Sequence, residues 1–280
     1  MNMSAVVGAG RTPSGSKAAG SMTEGAARAG LAARGVIYLL VGTLALQIAF
    51  GGRRRQADRQ GALAELSEKP FGSVLLWALG IGLVGMALWR LSEVVFGRVG
   101  PKGHKPHKRL LSAGRCLFYG FVAYSVLRFA ANGGKGEGGG STDQQSRDIT
   151  ATAMELPAGQ WIVGAGGAGI MVAGVWIGVQ AIRRKYRKDL KLGEMSRTAQ
   201  RLTDVTGVGG GLARAAVFAV LGAFAVRAAV DYEPDEAKGL DDTLRSFAET
   251  GLGPWLLAAV ACGLVLFGLF SFMMAARRRV

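Results

Sequence analysis

Arg34, Arg115 and Arg214 each open a long apolar run, in RGVIYLLVGTLALQIAFGG, RCLFYGFVAYSVLRFAANG and RAAVFAVLGAFAVRAAVDY. Tyr38, Tyr119 and Phe218 follow their arginine by four residues, and Gln47, Arg128 and Arg227 follow it by thirteen. Thirteen residues is about 20 Å of helix, so each run carries polar groups near both ends of a membrane-sized element. A guanidinium can clamp a phosphate or a carboxylate through two parallel hydrogen bonds. Turned inward, the leading arginines would bind an anionic lipid, a substrate or an acid such as Glu93. Glu93 is the one acid so placed, at the end of the second apolar run, so three identical ion pairs are excluded. The plainer reading is snorkelling, in which the stem covers apolar surface and the head reaches the lipid headgroups. In a cavity, Arg128 and Arg227 would favour an anion, with Gln47 as the neutral equivalent; at a helix edge they snorkel as well.

Other chemistry is sparse. Cys116 and Cys262 sit in apolar segments without CxxC spacing, and His104 and His107 lie in a basic loop without carboxylates. Neither pair predicts a metal site, and no cofactor is expected. The glycine runs GIGLVG and GAGGAG lie inside apolar stretches, and GAGGAG lacks the Lys-Ser/Thr of a phosphate loop, so close helix packing is the expectation. No HExxH, GxSxG or Ser/His/Asp set is present. Nothing indicates an enzyme.

The elements that must position these residues are read from composition. Half of the 280 residues are apolar, 19% are charged and 44 are glycine. No charged side chain occurs between Phe71 and Trp89, between Leu156 and Ile182, or between Gly251 and Ala276. Runs of about 20 such residues cross a hydrocarbon core of about 30 Å. The net charge of +15 gathers at the ends of these runs rather than in a recognition helix, so nucleic acid is not an expected partner. Residues 1–25 read as a disordered tail rather than a signal peptide.

The reading is an all-α membrane protein with six transmembrane helices, at about 31–51, 71–96, 110–131, 158–182, 208–230 and 252–276. Segments 1–33, 97–110 and 183–208 carry net charges of +2, +5 and +5, whereas 131–158 and 231–251 carry −2 and −5. Arg53, Arg54 and Arg55 are the dissenting cluster. The positive-inside tendency therefore puts both termini in the cytoplasm. Gly72, Gly159 and Gly253 are each followed ten residues later by Gly82, Gly169 and Gly263. Together with the arginine register, this divides the chain into three parallel two-helix repeats, 26–98, 109–184 and 207–277, in a pseudo-threefold bundle. The connectors GALAELSEKPFG, DITATAMELPAG and DDTLRSFAETGLG read as short interfacial segments on the outer side.

The pattern ARGVIYLLVGTLAL, then QGALAELSEKPFG, then an apolar helix ending ALWRLSE, resembles the DUF1206 family of bacterial membrane proteins of unknown function. The resemblance spans about residues 26–276 and implies three tandem two-helix units. The second unit departs from it with Cys116 after Arg115 and a Gly-rich insertion, KGEGGGSTDQQ; the third departs with Ala215 and Phe218. The resemblance carries no activity with it.

The expectation is a multi-pass protein of the bacterial plasma membrane with a structural or interaction role. A small transporter or channel for an anionic or small polar solute is the second reading, and an anionic-lipid-binding or sensing protein the third. Expected partners are membrane lipids, anionic at the cytoplasmic face, and other membrane proteins. The topology predicts that cysteines placed at Ser141 and Lys238, with Cys116 and Cys262 replaced, react with an impermeant thiol reagent from outside. One at Lys102 should stay protected; the reverse pattern overturns the orientation.

Overall fold

The computed structural model describes residues 14–51, 56–96, 106–133, 142–249 and 253–278. Nine α-helices occur among them: α1 (Ser14–Ala49), α2 (Arg59–Ser67), α3 (Gly72–Phe96), α4 (Pro106–Ala131), α5 (Thr142–Met154), α6 (Gly159–Ile182), α7 (Arg197–Asp231), α8 (Leu240–Ala248) and α9 (Gly253–Arg277). The order is long, short, long, three times over. Local signals set several starts. Pro106 opens α4, where its missing N–H is not needed. Asp58 caps α2 by accepting from the Gly61 N–H at 2.7 Å, and Ser196 caps α7 through the Ala199 N–H.

Five helical stretches are long and apolar enough to cross a membrane: Glu24–Ala49, Gly72–Val95, Gly159–Ile182, Arg197–Asp231 and Gly253–Arg277. Helix α4 has the length but is not among the five found in the described residues; Arg115 and Arg128 interrupt its apolar run. Two starts differ from the sequence expectation. Helix α1 begins at Ser14, inside the stretch read as a disordered tail, and residues 1–13 lie outside the described residues. Helix α7 begins at Arg197 rather than near 208; Ser196 starts the helix while Arg201 and Asp204 still hold the hydropathy down. The Arg53–Arg55 cluster, most of the 97–110 loop and the glycines of the insertion also lie outside the described residues.

The long helices pack in the order α4, α3, α1, α9, α7, α6. Among the described residues, the two ends of this row, α4 and α6, show no substantial packing against each other. Lipid tails are as apolar as leucine, so helix contact in a bilayer depends on close van der Waals fit at small residues. The interfaces show that fit. A side chain at Gly210 of α7 would stand 2.5 Å from the Phe267 Cα of α9, and one at Gly167 of α6 2.8 Å from the Val226 N of α7.

The short helices α2, α5 and α8 gather at one end of the long ones. The Ala57 N–H donates to Asp241 Oδ1 at 2.6 Å, and the Asp242 N–H donates to Asp143 Oδ1 at 3.2 Å. At the opposite end, residues 185–194 turn back on the bundle. Leu190 bridges to Arg278, and the Arg187 guanidinium pairs with Asp204 alongside Tyr186. Burial of the Tyr186 phenol beside Asp204 pushes it up to about 12, so it stays a neutral donor in this loop.

This packing predicts opposite outcomes for two glycine substitutions. Gly210→Ala should destabilise by on the order of 2 kcal/mol through overpacking. Gly120→Ala on α4, where nothing lies within 4 Å, should be neutral or stabilise by up to about 1 kcal/mol. Thermal unfolding in detergent reads both; equal effects would contradict the packing.

Candidate functional site

Arg34 of α1, Tyr119 of α4 and Arg214 of α7 come together although their helices are not principal packing neighbours of one another. The row of helices therefore curls around a shared interior. Arg34 Nε donates to Ser271 Oγ of α9 at 3.1 Å, and its guanidinium stands 5.1 Å from the Phe267 ring centroid. The Tyr119 hydroxyl faces Arg34, with Arg214 and Arg90 also in electrostatic range. The Arg214 guanidinium lies 5.8, 5.2 and 5.0 Å from the rings of Tyr38, Phe218 and Phe267. Tyr38 and Phe267 meet edge to face at 4.7 Å.

Charge balance is the informative feature. Among the described residues no carboxylate lies within ion-pair distance of Arg34 or Arg214, and Arg214 Nε is buried without a hydrogen-bond partner. Each arginine instead feels the other as a like charge. Ring faces compensate in part, at about 0.5–2 kcal/mol per cation–π contact. They do not cancel the charge of the two guanidiniums, whose side chains are half-buried.

Glu93 does not supply the countercharge. It pairs with Arg90 at 2.7 Å, both side chains buried, and accepts from Ser112 Oγ at 3.0 Å. The Arg90 guanidinium also lies over Trp89 at 4.2 Å, with Arg278 near the same ring at 4.6 Å. Arg115 is half-buried on α4. Gln47, Arg128 and Arg227 are exposed, and Arg227 pairs with Asp231 at 3.3 Å and Glu236 at 3.4 Å. No contact brings these three together. Sequence reasoning missed Arg90, although its i,i+3 spacing to Glu93 was a usable signal. Phe267 and Ser271, inside an uncharged run, gave none.

Both ends of the interior are covered. Leu190 and Leu192 pack in one cluster with Met86, Tyr38, Tyr119 and Phe267. At the other end Leu63 and Leu66 of α2, and Leu244 and Phe247 of α8, seal onto the long helices. A second group of ionisable residues lies among the short helices. Asp143, Asp241 and Asp242 offer carboxylate oxygens within 4.8 Å of one another, a spacing that a cation could bridge. These oxygens are already engaged: Asp241 with Ala57 N–H and Arg245, Asp242 with Arg147, and Asp143 with the Asp242 N–H. The trio ties the connectors to each other.

Two outcomes follow. Arg214→Lys keeps the charge but loses the planar face that stacks on three rings, so stability should fall by on the order of 1–2 kcal/mol. Arg128→Lys should be nearly silent; equal melting shifts would contradict the interior placement of Arg214. The second concerns pH. Burial, reinforced by the charges of Asp242, Asp241 and Asp58 and opposed by the Asp242 N–H, pushes Asp143 up to about 6 from 3.8. The folded form then binds the proton more tightly than the unfolded one, so this contribution is fully present below about 3.8 and is lost as pH rises through about 6. Asp143→Asn should flatten the fall in melting temperature between about pH 3.8 and about pH 6 by on the order of one titrating group; an unchanged profile would contradict the assignment.

The family described as Domain of Unknown Function (DUF1206) matches the chain at three segments, residues 29–97, 112–184 and 209–278. The uncharacterized protein YxxB of Bacillus subtilis (strain 168) is 33% identical over 251 residues, which covers 88% of each chain. No solved structure matches. Three family matches and a relative spanning nearly the whole length agree on one assignment: the chain belongs to the DUF1206 family.

Proposed function

We propose that this protein crosses the bacterial plasma membrane six times and holds an anionic ligand in its interior, on Arg34 and Arg214. One observation carries the reading: two arginines face a shared interior with aromatic rings around them and no carboxylate in ion-pair distance among the described residues. Charged groups inside a membrane are costly and are retained where they serve a pathway or a ligand. A purely structural role, the first expectation from sequence, gives no reason to keep two unneutralised cations there. An anion between them would supply charge-assisted hydrogen bonds and satisfy Arg214 Nε.

The count of six takes in α4, whose apolar run Arg115 and Arg128 interrupt but whose Tyr119 reaches the same interior as α1 and α7. Parallel repeats are supported by the gathering of α2, α5 and α8 at one end. The pseudo-threefold arrangement is supported by the packing order, in which the pairs α3/α4, α6/α7 and α9/α1 join successive units. Cytoplasmic termini follow from the basic residues at 183–208 and the acidic ones at 231–251. A polar transport path through Gln47, Arg128 and Arg227 has no support from their exposed positions.

The test is anion-dependent stability of the purified full chain in detergent. Inorganic phosphate should raise the melting temperature above that in chloride at equal ionic strength. Arg34→Gln and Arg214→Gln should each abolish the difference. A phosphate effect that persists in both variants, or none in the wild type, would sink the proposal.

A further inference from the structure

The three units close differently. Ala33, Gly114 and Ala213 each stand directly before a leading arginine, and Gly82, Gly169 and Gly263 each lie ten residues into the second long helix of a unit. In the first unit a Cβ on Gly82 of α3 would lie 3.1 Å from the Ala33 Cβ of α1. In the third, a Cβ on Gly263 of α9 would press on the Ala213 Cβ of α7. These seams are shut. In the second unit the same two positions, Gly114 of α4 and Gly169 of α6, have nothing within 4 Å. Among the described residues, α4 and α6 show no substantial packing at the seam that the other two units close.

We propose that this open seam admits an anionic membrane lipid from the side, with its phosphate on Arg34 and Arg214 and its chains between α4 and α6. The proposal rests on the anion-binding reading and names its ligand. Three observations select a lipid over a soluble anion. First, Leu190 and Leu192 cover one end of the interior and α2 and α8 the other, while Gly114 and Gly169 face open space. Second, α4 and α6 both expose large apolar side chains. Phe118 and Phe121 of α4 are 62% and 57% exposed, and α6 carries a hollow of about 360 Å³ lined by Met171, Val172, Val175, Trp176 and Val179. Third, the depth is right. At 1.5 Å per residue, Arg34 lies about 22 Å from Ala49 and Arg214 about 25 Å from Asp231. In a core of about 30 Å that leaves them within roughly 8 Å of the opposite edge, in reach of one leaflet's phosphates. Charge complementarity supplies the affinity, since the arginines lack carboxylate partners among the described residues.

Native mass spectrometry of the full chain, with phosphatidylglycerol and phosphatidylcholine supplied in equal amounts, tests this. The wild type should retain phosphatidylglycerol at least about tenfold better. Arg34→Gln should lose that preference. Gly114→Trp and Gly169→Trp, placed where a side chain meets open space, should lose lipid while keeping the phosphate-dependent melting shift. That last measurement also shows that the variants are folded. If phosphate stabilises the wild type but phosphatidylglycerol is retained no better than phosphatidylcholine, the lipid assignment falls and anion binding stands. If neither binds, both fall. Lipid retention unchanged in both tryptophan variants overturns the lateral route. Dimers in the wild type that become monomers in both variants would mean that a second copy fills the seam, which overturns it too.

Discussion

Two guanidiniums share an interior with no carboxylate in ion-pair distance among the described residues, and neutral side chains are arranged around them. Tyr38, Phe218 and Phe267 turn their ring faces to Arg214, and Ser271 and Tyr119 turn their hydroxyls to Arg34. Glu93 is kept for Arg90 by a buried pair and by Ser112. Electrostatic cost in a low dielectric is steep and short-ranged, so the placement of each neutral partner matters more than the total charge of the chain.

Small residues set the distances at which this works. Glycines on α3, α6, α7 and α9 let the helices approach closely enough for side chains from α1, α4, α7 and α9 to meet in one place. Where the glycines find no partner, at 114 and 169, the wall of the interior is open. One motif thus builds two closed seams and one open one. The second unit is also where the Gly-rich insertion falls between the two long helices.

Much of this was legible in the chain. The starts at Gly72, Gly159 and Gly253 were marked by uncharged runs, and the short connectors by their amphipathic residues. The register of arginine plus aromatic at four residues puts Arg34, Arg115 and Arg214 in one equivalent position and Tyr38, Tyr119 and Phe218 in another. Direction was not legible. Periodicity gives a helix, but whether Arg214 turns to headgroups or to Phe267 depends on which helix stands beside α7, and that is a long-range property. Arg115 shows the limit, since it shares both the register and the half-buried state of Arg34 and Arg214 but sits on α4, which has a different principal neighbour. The connector acids were likewise readable only as net charge, because their grouping requires α5 and α8 to meet.

The central claim is that an anion completes Arg34 and Arg214. An experimental density map of the protein purified from its own membrane tests it directly, without a choice of ligand. The account predicts a compact, phosphate-sized feature within hydrogen-bond distance of both guanidiniums, continuous with elongated density between α4 and α6. Guanidiniums that pair with a carboxylate of the chain, or that point out to the headgroups with nothing between them, would contradict it.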